Sequence, residues 1–307
     1  MDRLDTLRAF LLVAEYQSFA EAARRLRWSA AAATRAIAQL EDELGVTLFH
    51  RTTRSVKLTE RGTIFLGSAR QILQDLDDAH RRVRGDDAQP RGHLEVAAPF
   101  LFGKLHVLPI VARMLQAFSE LSVNLSLSDR VVHLVEEGVD VAVRIGALDD
   151  SALKAVKVGD VRRVTVASPA YLSGRPPIDA PRDLSAHDII TFEGVDATDD
   201  WKFGDAAGPS VRVEPRLRVN TADAAIAACI NGLGITRVLS YQVVDALSRG
   251  DLILLLEDFA PAAIPVHIIY PPRRVGSPNV NAFVKMARDH FRAQTINIGA
   301  PARVTVS

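Results

Sequence analysis

Residues 18–45 read SFAEAARRLRWSAAAATRAIAQLEDELG, and this stretch decides how the N-terminal part of the chain folds. Ser18 and Glu21 have the spacing of a capping box, which would start a short helix. Ser29 is a second N-cap residue, and Gly45 is placed to end the longer helix that begins there. Two capped helices joined by a short turn predict a helix-turn-helix motif.

The longer helix has two sides of different composition. Apolar residues recur on one side at helical spacing, and we expect this side to be buried: Ala33, Ile37, Leu40 and Leu44. A recognition helix reads base edges in the DNA major groove mainly with its N-terminal turns. The candidate base contacts are therefore the N-cap residue and the outer side: Ser29, Ala31, Ala32, Thr34, Arg35 and Gln39.

Basic residues are concentrated around this motif although the chain as a whole is neutral, with 37 basic and 37 acidic residues. Residues 22–40 contain four arginines and no acid, and residues 44–59 are also basic without an acid. The second window alternates around a polar turn at 52–55, which predicts a β-hairpin, or wing. Local basic clusters supply phosphate contacts, and the candidates on the wing are Arg51, Thr52 and Arg54.

A heptad pattern begins after residue 59. Apolar residues recur at intervals of four and three: Phe65, Ala69, Ile72, Leu76, Ala79 and Val83. Such a seam usually buries its stripe against a second helix in a coiled coil, so these six residues are the predicted dimer contacts. The alternative is one amphipathic helix lying on its own domain. The polar, helix-breaking segment 85–92 predicts a hinge.

Beyond residue 92, short apolar runs alternate with helical patterns. The runs at 94–98, 123–127 and 139–145 are separated by a helical pattern at 105–118, and a second set follows at 189–192, 211–219, 221–231 and 252–256. This alternation predicts α/β units around a largely buried sheet, and the section is long enough for two lobes.

The segments SFAEAA (18–23), RAI (35–37), LFHRT (48–52) and LT (58–59) together resemble the DNA-binding domain of LysR-type transcriptional regulators. The segments LSDRVV (127–132), DVAVRIG (140–146) and ASPAYL (167–172) resemble the effector domain of the same family. The resemblance covers the chain from Asp2 to about Phe291. It implies a regulator that binds double-stranded promoter sites with dyad symmetry, answers to a small-molecule effector, pairs as a homodimer or dimer of dimers, and works with RNA polymerase.

The implied fold class is α+β multi-domain, with a winged helix-turn-helix, a long linker helix and a two-lobed α/β domain like periplasmic binding proteins. The boundaries are 1–60 for the DNA-binding domain, 61–91 for the linker helix and hinge, and 92–307 for the effector-binding domain. Lobe I would comprise about 92–164 and 265–295, and lobe II about 165–264. The resemblance places the ligand cleft between them.

Ligands of open α/β sheets bind beyond the carboxyl ends of strands, and helix starts favour anions. The candidate effector contacts are Pro99, Phe100, Phe102, Arg144, Gly146, Phe192, Asn220 and Thr221. Arg144 is the fixed cation among them, and its alternative is an ion-paired or solvated arginine at a strand end. Ala97 and Ala98 stand where the family often has a hydroxyl residue, which weakens the case for a simple carboxylate effector.

Two further departures from the family concern the DNA reader. Residues 30–33 are all alanine where hydroxyl residues and proline are common. An alanine can contact only a thymine methyl, so base readout should depend on Arg35, Thr34, Ser29 and DNA shape. Arg27 occupies a turn position where glycine is common, and a positive φ there would cost about 1 kcal/mol.

Several other classes of protein are disfavoured. We find no paired His or Cys spacing for a metal, no serine-centred glycine elbow and no complete dinucleotide-binding loop, so we expect no catalytic residue, metal or cofactor. The sequence suggests neither a signal peptide nor a membrane partner, and the single cysteine, Cys229, is expected in a core in the cytoplasm. The effector, the target genes, activation against repression, and dimer against tetramer stay open.

Overall fold

The computed structural model describes residues 2–51, 55–84, 89–130, 132–148, 152–192, 198–204 and 208–293. Thr52 and Arg54 of the predicted wing therefore lie outside the described residues. Within the described ranges, the chain forms an N-terminal helical unit, one helix of 25 residues and two five-stranded sheets.

The N-terminal unit is built from three helices and a hairpin: α1 (Arg3–Tyr16), α2 (Phe19–Leu26), α3 (Ala30–Leu44), β1 (Phe49–Arg51) and β2 (Val56–Leu58). The strands of the hairpin pair antiparallel. Phe10 on α1 is fully buried, and its ring centroid lies 5.3 Å from that of Phe49 and 5.1 Å from that of Phe65. One apolar core thus joins α1, the hairpin and the helix that follows.

The caps form largely as the sequence predicts. The Ser18 hydroxyl accepts from the Glu21 N–H at 3.2 Å, and the Ser29 hydroxyl accepts from the Ala32 N–H at 3.1 Å. Gly45 ends α3 with a φ of 67°, in the left-handed region that glycine adopts without strain. The capping box is only half formed, because the Glu21 carboxylate binds two arginines of its own helix.

Arg27 has a φ of 58° and ends α2. A left-handed conformation costs a non-glycine residue about 1–2 kcal/mol. The Arg27 N–H donates to the Arg24 carbonyl at 3.2 Å, which satisfies a helix-end acceptor. The sharp turn between α2 and α3 is therefore held by an arginine under backbone strain.

Leu44 departs from the prediction, because 43% of it is exposed. The buried face of α3 is Ala33, Ala36, Ile37 and Leu40. Leu44 has the right helical phase, but it lies in the last turn beside the exposed Val46. The helix extends past the core that would cover it.

The linker helix α4 (Glu60–Arg84) carries the predicted heptad seam. Phe65 packs on the N-terminal core, and Ala69 is fully buried there. Ile72 is 47% exposed and Val83 is 89% exposed. Phe65 and Ala69 therefore cover a surface of their own chain, as in the alternative of an amphipathic helix on its own domain, while the dimer role of the seam stays a prediction.

The C-terminal section contains twelve strands among the described residues: β3 (Gly92–Ala98), β4 (Leu121–Leu127), β5 (Val141–Ile145), β6 (Lys154–Val161), β7 (Arg163–Ala167), β8 (Ile189–Phe192), β9 (Asp200–Lys202), β10 (Ser210–Arg212), β11 (Pro215–Val219), β12 (Ile235–Leu239), β13 (Ile253–Leu255) and β14 (Ile264–Tyr270). Its α-helices are α5 (Phe100–Phe102), α6 (Leu108–Ala117), α7 (Pro169–Leu172), α8 (Ala222–Ile230), α9 (Val244–Ser248) and α10 (Pro278–Ala293).

Ten of these strands form two five-stranded sheets, and β9 and β10 form a separate antiparallel pair. The sheet of lobe I has the order β4-β3-β5-β14-β6, and the sheet of lobe II has the order β11-β8-β12-β7-β13. In lobe I, β3 pairs parallel with β4 and β5, whereas β14 pairs antiparallel with β5 and β6. The chain crosses to lobe II after β6 and returns with β14. The lobe boundaries given above stay predictions.

Several strands of the structure differ from those predicted from the sequence. The run at 211–219 is two strands, β10 and β11, in different sheets, with a break where the Val213 N–H donates to the Asp199 carbonyl at 2.8 Å. β6, β7, β9 and β12 were not predicted. β6 is an edge strand of mixed exposure, so its apolar pattern is weak.

The predicted helix at 105–118 begins earlier in the structure. α5 and α6 are joined by a π-helical turn (Gly103–Val107) into one helix, Phe100–Ala117. By length and composition, this is the one helix of the described residues that could cross a membrane, and 33% of it is buried. Its buried side packs in the lobe I core through Ile110, Val111 and Met114.

A buried arginine joins α4 to lobe I. Arg274 is 2% exposed, and its Nη1 donates to Asp75 Oδ1 on α4 at 2.9 Å. Its Nη2 lies 2.6 Å from Oδ1 of Asp140, which is 1% exposed. The other Asp140 oxygen accepts from the Glu95 N–H at 2.9 Å. We call Asp75, Asp140 and Arg274 the junction triad.

Further polar contacts line the same junction. Gln74 Nε2 donates to the His93 carbonyl at 2.7 Å, and Arg273 donates to Gln71 at 2.8 Å. Arg70 lies 3.3 Å from Glu95. The linker helix is thus seated on lobe I by hydrogen bonds and ion pairs along two turns.

We expect Arg274→Met to lower the free energy of unfolding by about 3–5 kcal/mol, because the change leaves the buried Asp140 carboxylate without its guanidinium. Burial already raises the pKa of Asp140. A proton bound to Asp140 in the folded state would relieve the unpaired charge, so the deficit should shrink as the pH falls. Urea denaturation at several pH values measures both effects.

Arg273→Met is the matched control, because Arg273 is exposed and donates to an uncharged amide. A loss of stability equal for the two variants would contradict the role of the buried pair.

Candidate DNA-binding and effector-binding sites

The outer side of α3 is open to solvent. Ala31, Thr34, Arg35 and Gln39 are exposed, and Ala32 is partly exposed. Thr34 donates its hydroxyl proton to the Ala30 carbonyl at 3.0 Å, and Gln39 donates to Glu43 at 3.1 Å. These two side chains are therefore partly occupied within the helix.

Arg35 differs from its neighbours. Its side chain has no hydrogen bond or ion pair with any residue in the described part of the chain. Arg24 and Arg25, by contrast, both bind Glu21. Arg35 is thus the long, cationic donor on α3 that can reach a base edge or phosphate without first breaking an ion pair.

Glu41 fixes the wing against the recognition helix. Its Oε1 accepts from the Leu48 N–H at 2.8 Å and the Phe49 N–H at 3.1 Å. Its Oε2 binds Arg51 Nη2 at 2.5 Å, and the Arg51 guanidinium lies 4.8 Å from the ring centroid of Phe19. Arg51 therefore has a structural role that the sequence did not reveal, and one third of its side chain is left exposed.

A cavity of about 1110 Å³ lies between the two sheets. Four of the predicted effector contacts line it: Pro99, Arg144, Gly146 and Phe192. The lining also includes Trp201 and Tyr241, so it combines aromatic and charged groups. The cavity is large enough for a small organic ligand.

Four predicted contacts do not line this cavity: Phe100, Phe102, Asn220 and Thr221. Phe102 is fully buried and stacks on Phe291 at 5.7 Å, because the helix turn after Pro99 directs it into the lobe I core. Thr221, the N-cap residue of α8, does not line the cavity, although Arg218 on the preceding strand β11 does. The position of a residue directly after a strand is therefore not enough to predict that it lines the cavity.

The cavity lining is rich in arginine. Among the described residues it contains six basic side chains, Arg130, Arg144, Arg163, Lys202, Arg218 and Arg237, and three acidic ones, Asp129, Asp199 and Asp200. Arg218 binds Asp199, and Arg130 binds Glu137 outside the cavity. The side chain of Arg144 has no partner among the residues the structure describes. The excess of basic groups favours a negatively charged ligand.

Arg237 is the most perturbed of these cations. Burial and then the nearby Arg163 lower the pKa of Arg237 to about 10. Its guanidinium donates to the Lys202 carbonyl and lies 4.7 Å from the Phe203 ring centroid. Arg237 was not among the predicted contacts because it lies inside β12, a strand that was not predicted.

Cys229 lies in the lobe II core as predicted. It is fully buried, and its thiol donates to the Val166 carbonyl at 3.4 Å. Burial raises the pKa of the thiol to about 11, which keeps it protonated and unreactive.

Comparison with known proteins identifies both parts of the chain. The model of the "Bacterial regulatory helix-turn-helix protein, lysR family" matches residues 4–63, and the model of the "LysR substrate binding domain" matches residues 87–292. The chain belongs to the LysR family of transcriptional regulators. The predicted family and fold class are thereby confirmed, and the protein is a DNA-binding transcriptional regulator with an effector-binding domain.

Full-length relatives agree with this LysR assignment. The regulator PtxR of Pseudomonas aeruginosa is 34% identical over 94% of this chain and 93% of its own length. The activator AaeR of Escherichia coli is 30% identical over 95% of this chain and 94% of its own length. Among solved structures, CrgA of Neisseria meningitidis is 28% identical, covers 95% of this chain and 99% of its own, and gives a TM-score of 0.61.

Proposed function

We propose that this LysR-type regulator is a cytoplasmic, non-enzymatic protein that binds promoter sites with dyad symmetry and works with RNA polymerase. The exposed Arg35 on the recognition helix, whose side chain has no partner among the residues the structure describes, is the observation that supports the DNA contacts. The proposed DNA surface comprises Ser29, Ala31, Ala32, Thr34, Arg35, Gln39, Arg51, Thr52 and Arg54. The membrane plays no part in the proposed function.

The effector is proposed to be a small organic anion bound between the lobes. Arg144, which has no side-chain partner in the described part of the chain, lies in a cavity with more basic than acidic groups, and this supports the choice. Phe192 and Trp201 line the cavity and would contribute apolar contacts to the organic part of the ligand. Pro99 and Gly146 would form the floor on lobe I, and Arg237 would approach from lobe II.

The DNA proposal predicts different results for two arginines. Arg35→Ala should weaken binding to the cognate site by about 1–3 kcal/mol and reduce discrimination against other sequences, because a base contact is lost. Arg51→Ala should weaken binding to all sequences and reduce the salt slope by about one unit, as expected for a phosphate contact. Electrophoretic shifts of the protein's own upstream DNA and of a scrambled fragment measure both.

Arg249→Ala is the control, since Arg249 pairs with Asp251 on the surface of lobe II. Unchanged binding in both DNA-site variants would contradict the proposed surface.

The dimer proposal rests on the exposed end of the α4 seam. Ile72→Asp with Leu76→Asp should yield monomers in sedimentation velocity, because two carboxylates would be desolvated against the second copy. Ile64→Asp is the matched control: Ile64 is 53% exposed on the same helix but lies outside the seam. A double variant that stays dimeric would show that the copies pair elsewhere.

The effector proposal predicts that Arg144→Ala weakens the binding of an anionic ligand at least tenfold while DNA affinity without ligand is unchanged. Candidate carboxylates and phosphates are first screened by the shift in melting temperature, because a ligand of the folded state raises its apparent stability. Titration calorimetry then compares the wild type with the variant. Equal affinities would place the anion elsewhere.

A further inference from the structure

A second, smaller cavity of about 200 Å³ lies between α4 and lobe I. It adjoins the effector cavity, and both are lined by Ala97, Ser128, Arg130 and Val132. Arg130 is the charged member of this shared set. A change in the position of Arg130 therefore alters the lining of both the effector cavity and the cavity beside the linker helix.

Arg130 closes a turn of lobe I. Its guanidinium donates to both carboxylate oxygens of Glu137, with Nη1 at 3.0 Å from Oε1. Glu137 Oε1 also accepts from the His133 N–H at 2.9 Å, and the Arg130 hydrogen bonds hold the pKa of Glu137 below its usual value. The Arg130 and Glu137 side chains are 64% and 29% exposed, so a solute can reach the pair.

The same turn supports α4. A Cβ added to Gly138 would come within 3.1 Å of the Gly67 Cα, and Gly138 has a φ of 68°. The backbones of Gly138 and Gly67 lie next to each other, so a displacement of the turn cannot be accommodated by the rotation of a side chain. The junction triad and the Gln74 hydrogen bond hold α4 against this surface.

We propose that Arg130 is the positioning residue that couples the effector cavity to the linker helix. An anion in the cavity offers Arg130 a second partner, and Arg130 can exchange Glu137 for this partner because 64% of its side chain is exposed. The turn that Glu137 no longer holds then changes the position of α4 on lobe I. The distance between the two DNA-binding domains of a dimer changes with it. A ligand can shift this equilibrium only by its differential affinity for the two arrangements.

The test measures the distance between α4 and lobe I without DNA or effector. Spin labels are attached to cysteines placed at Asp77 on α4 and Gln116 on α6, both exposed. Cys229 can stay because its thiol is buried and protonated. Electron–electron resonance is recorded on the full-length protein, diluted with unlabelled protein so that distances within one chain dominate.

Two variants perturb the pair from opposite sides. Glu137→Gln removes the charge that holds Arg130. Ser128→Glu adds a tethered carboxylate next to Arg130 at the shared wall, since the Arg130 N–H already donates to the Ser128 hydroxyl at 3.3 Å. Both should shift or broaden the distance distribution, whereas Ser128→Gln and Arg249→Gln should leave it unchanged. Arg130→Glu combined with Glu137→Arg should restore the wild-type distribution.

The proposal is overturned if Glu137→Gln and Ser128→Glu both give the wild-type distribution, or if Ser128→Gln shifts it as much as Ser128→Glu does. Circular dichroism and the melting temperature show whether each variant folds, and Arg130→Gln replaces Glu137→Gln if the latter does not. The role of an effector in displacing Glu137 rests on the proposed function. Because the measurement uses no DNA and no ligand, its failure is distinguishable from a failure of that function.

Discussion

The buried guanidinium of Arg274 is the constraint on which the arrangement of the chain depends. Moving a guanidinium out of water costs several kcal/mol, which only well-placed partners recover. One partner, Asp140, comes from lobe I itself, but the other, Asp75, comes from the linker helix. Asp75 of α4 therefore contributes to the stability of folded lobe I. This contribution requires α4 to be docked on the lobe.

The helix-turn-helix could be predicted because its determinants are local. Ser18, Ser29 and Gly45 each act on backbone groups within a few residues, so spacing along the chain is sufficient. Glu41 shows where this reasoning ends. Its carboxylate binds backbone groups seven and eight residues away and an arginine ten residues away, and no helical or strand period encodes such a contact.

The cavity could be predicted only in part because its lining comes from segments distant in sequence. Arg144 was found because it lies near the end of a recognisable buried strand. Arg237 was missed because its strand, β12, was not predicted, and in the structure its guanidinium lies against aromatic rings at the cavity. Phe102 was misplaced because the direction of a helix turn, which sequence spacing does not fix, decides whether a side chain enters the cavity or the core.

The Glu41 contact matters for DNA recognition because the recognition helix carries alanines at its N-terminal turns. Ala31 and Ala32 offer no hydrogen bond to a base, but their small size lets the helix backbone approach the groove floor and a thymine methyl. Under the proposed DNA contacts, discrimination comes from Arg35 and from the shape of the DNA. A protein that recognises the shape of DNA needs its DNA-contacting elements at a fixed separation. Because Glu41 ties Arg51 and the first strand of the wing to α3, the spacing between helix and wing is set before DNA binds. A DNA site whose groove geometry does not match this spacing must deform, and the free energy of that deformation is itself a source of specificity.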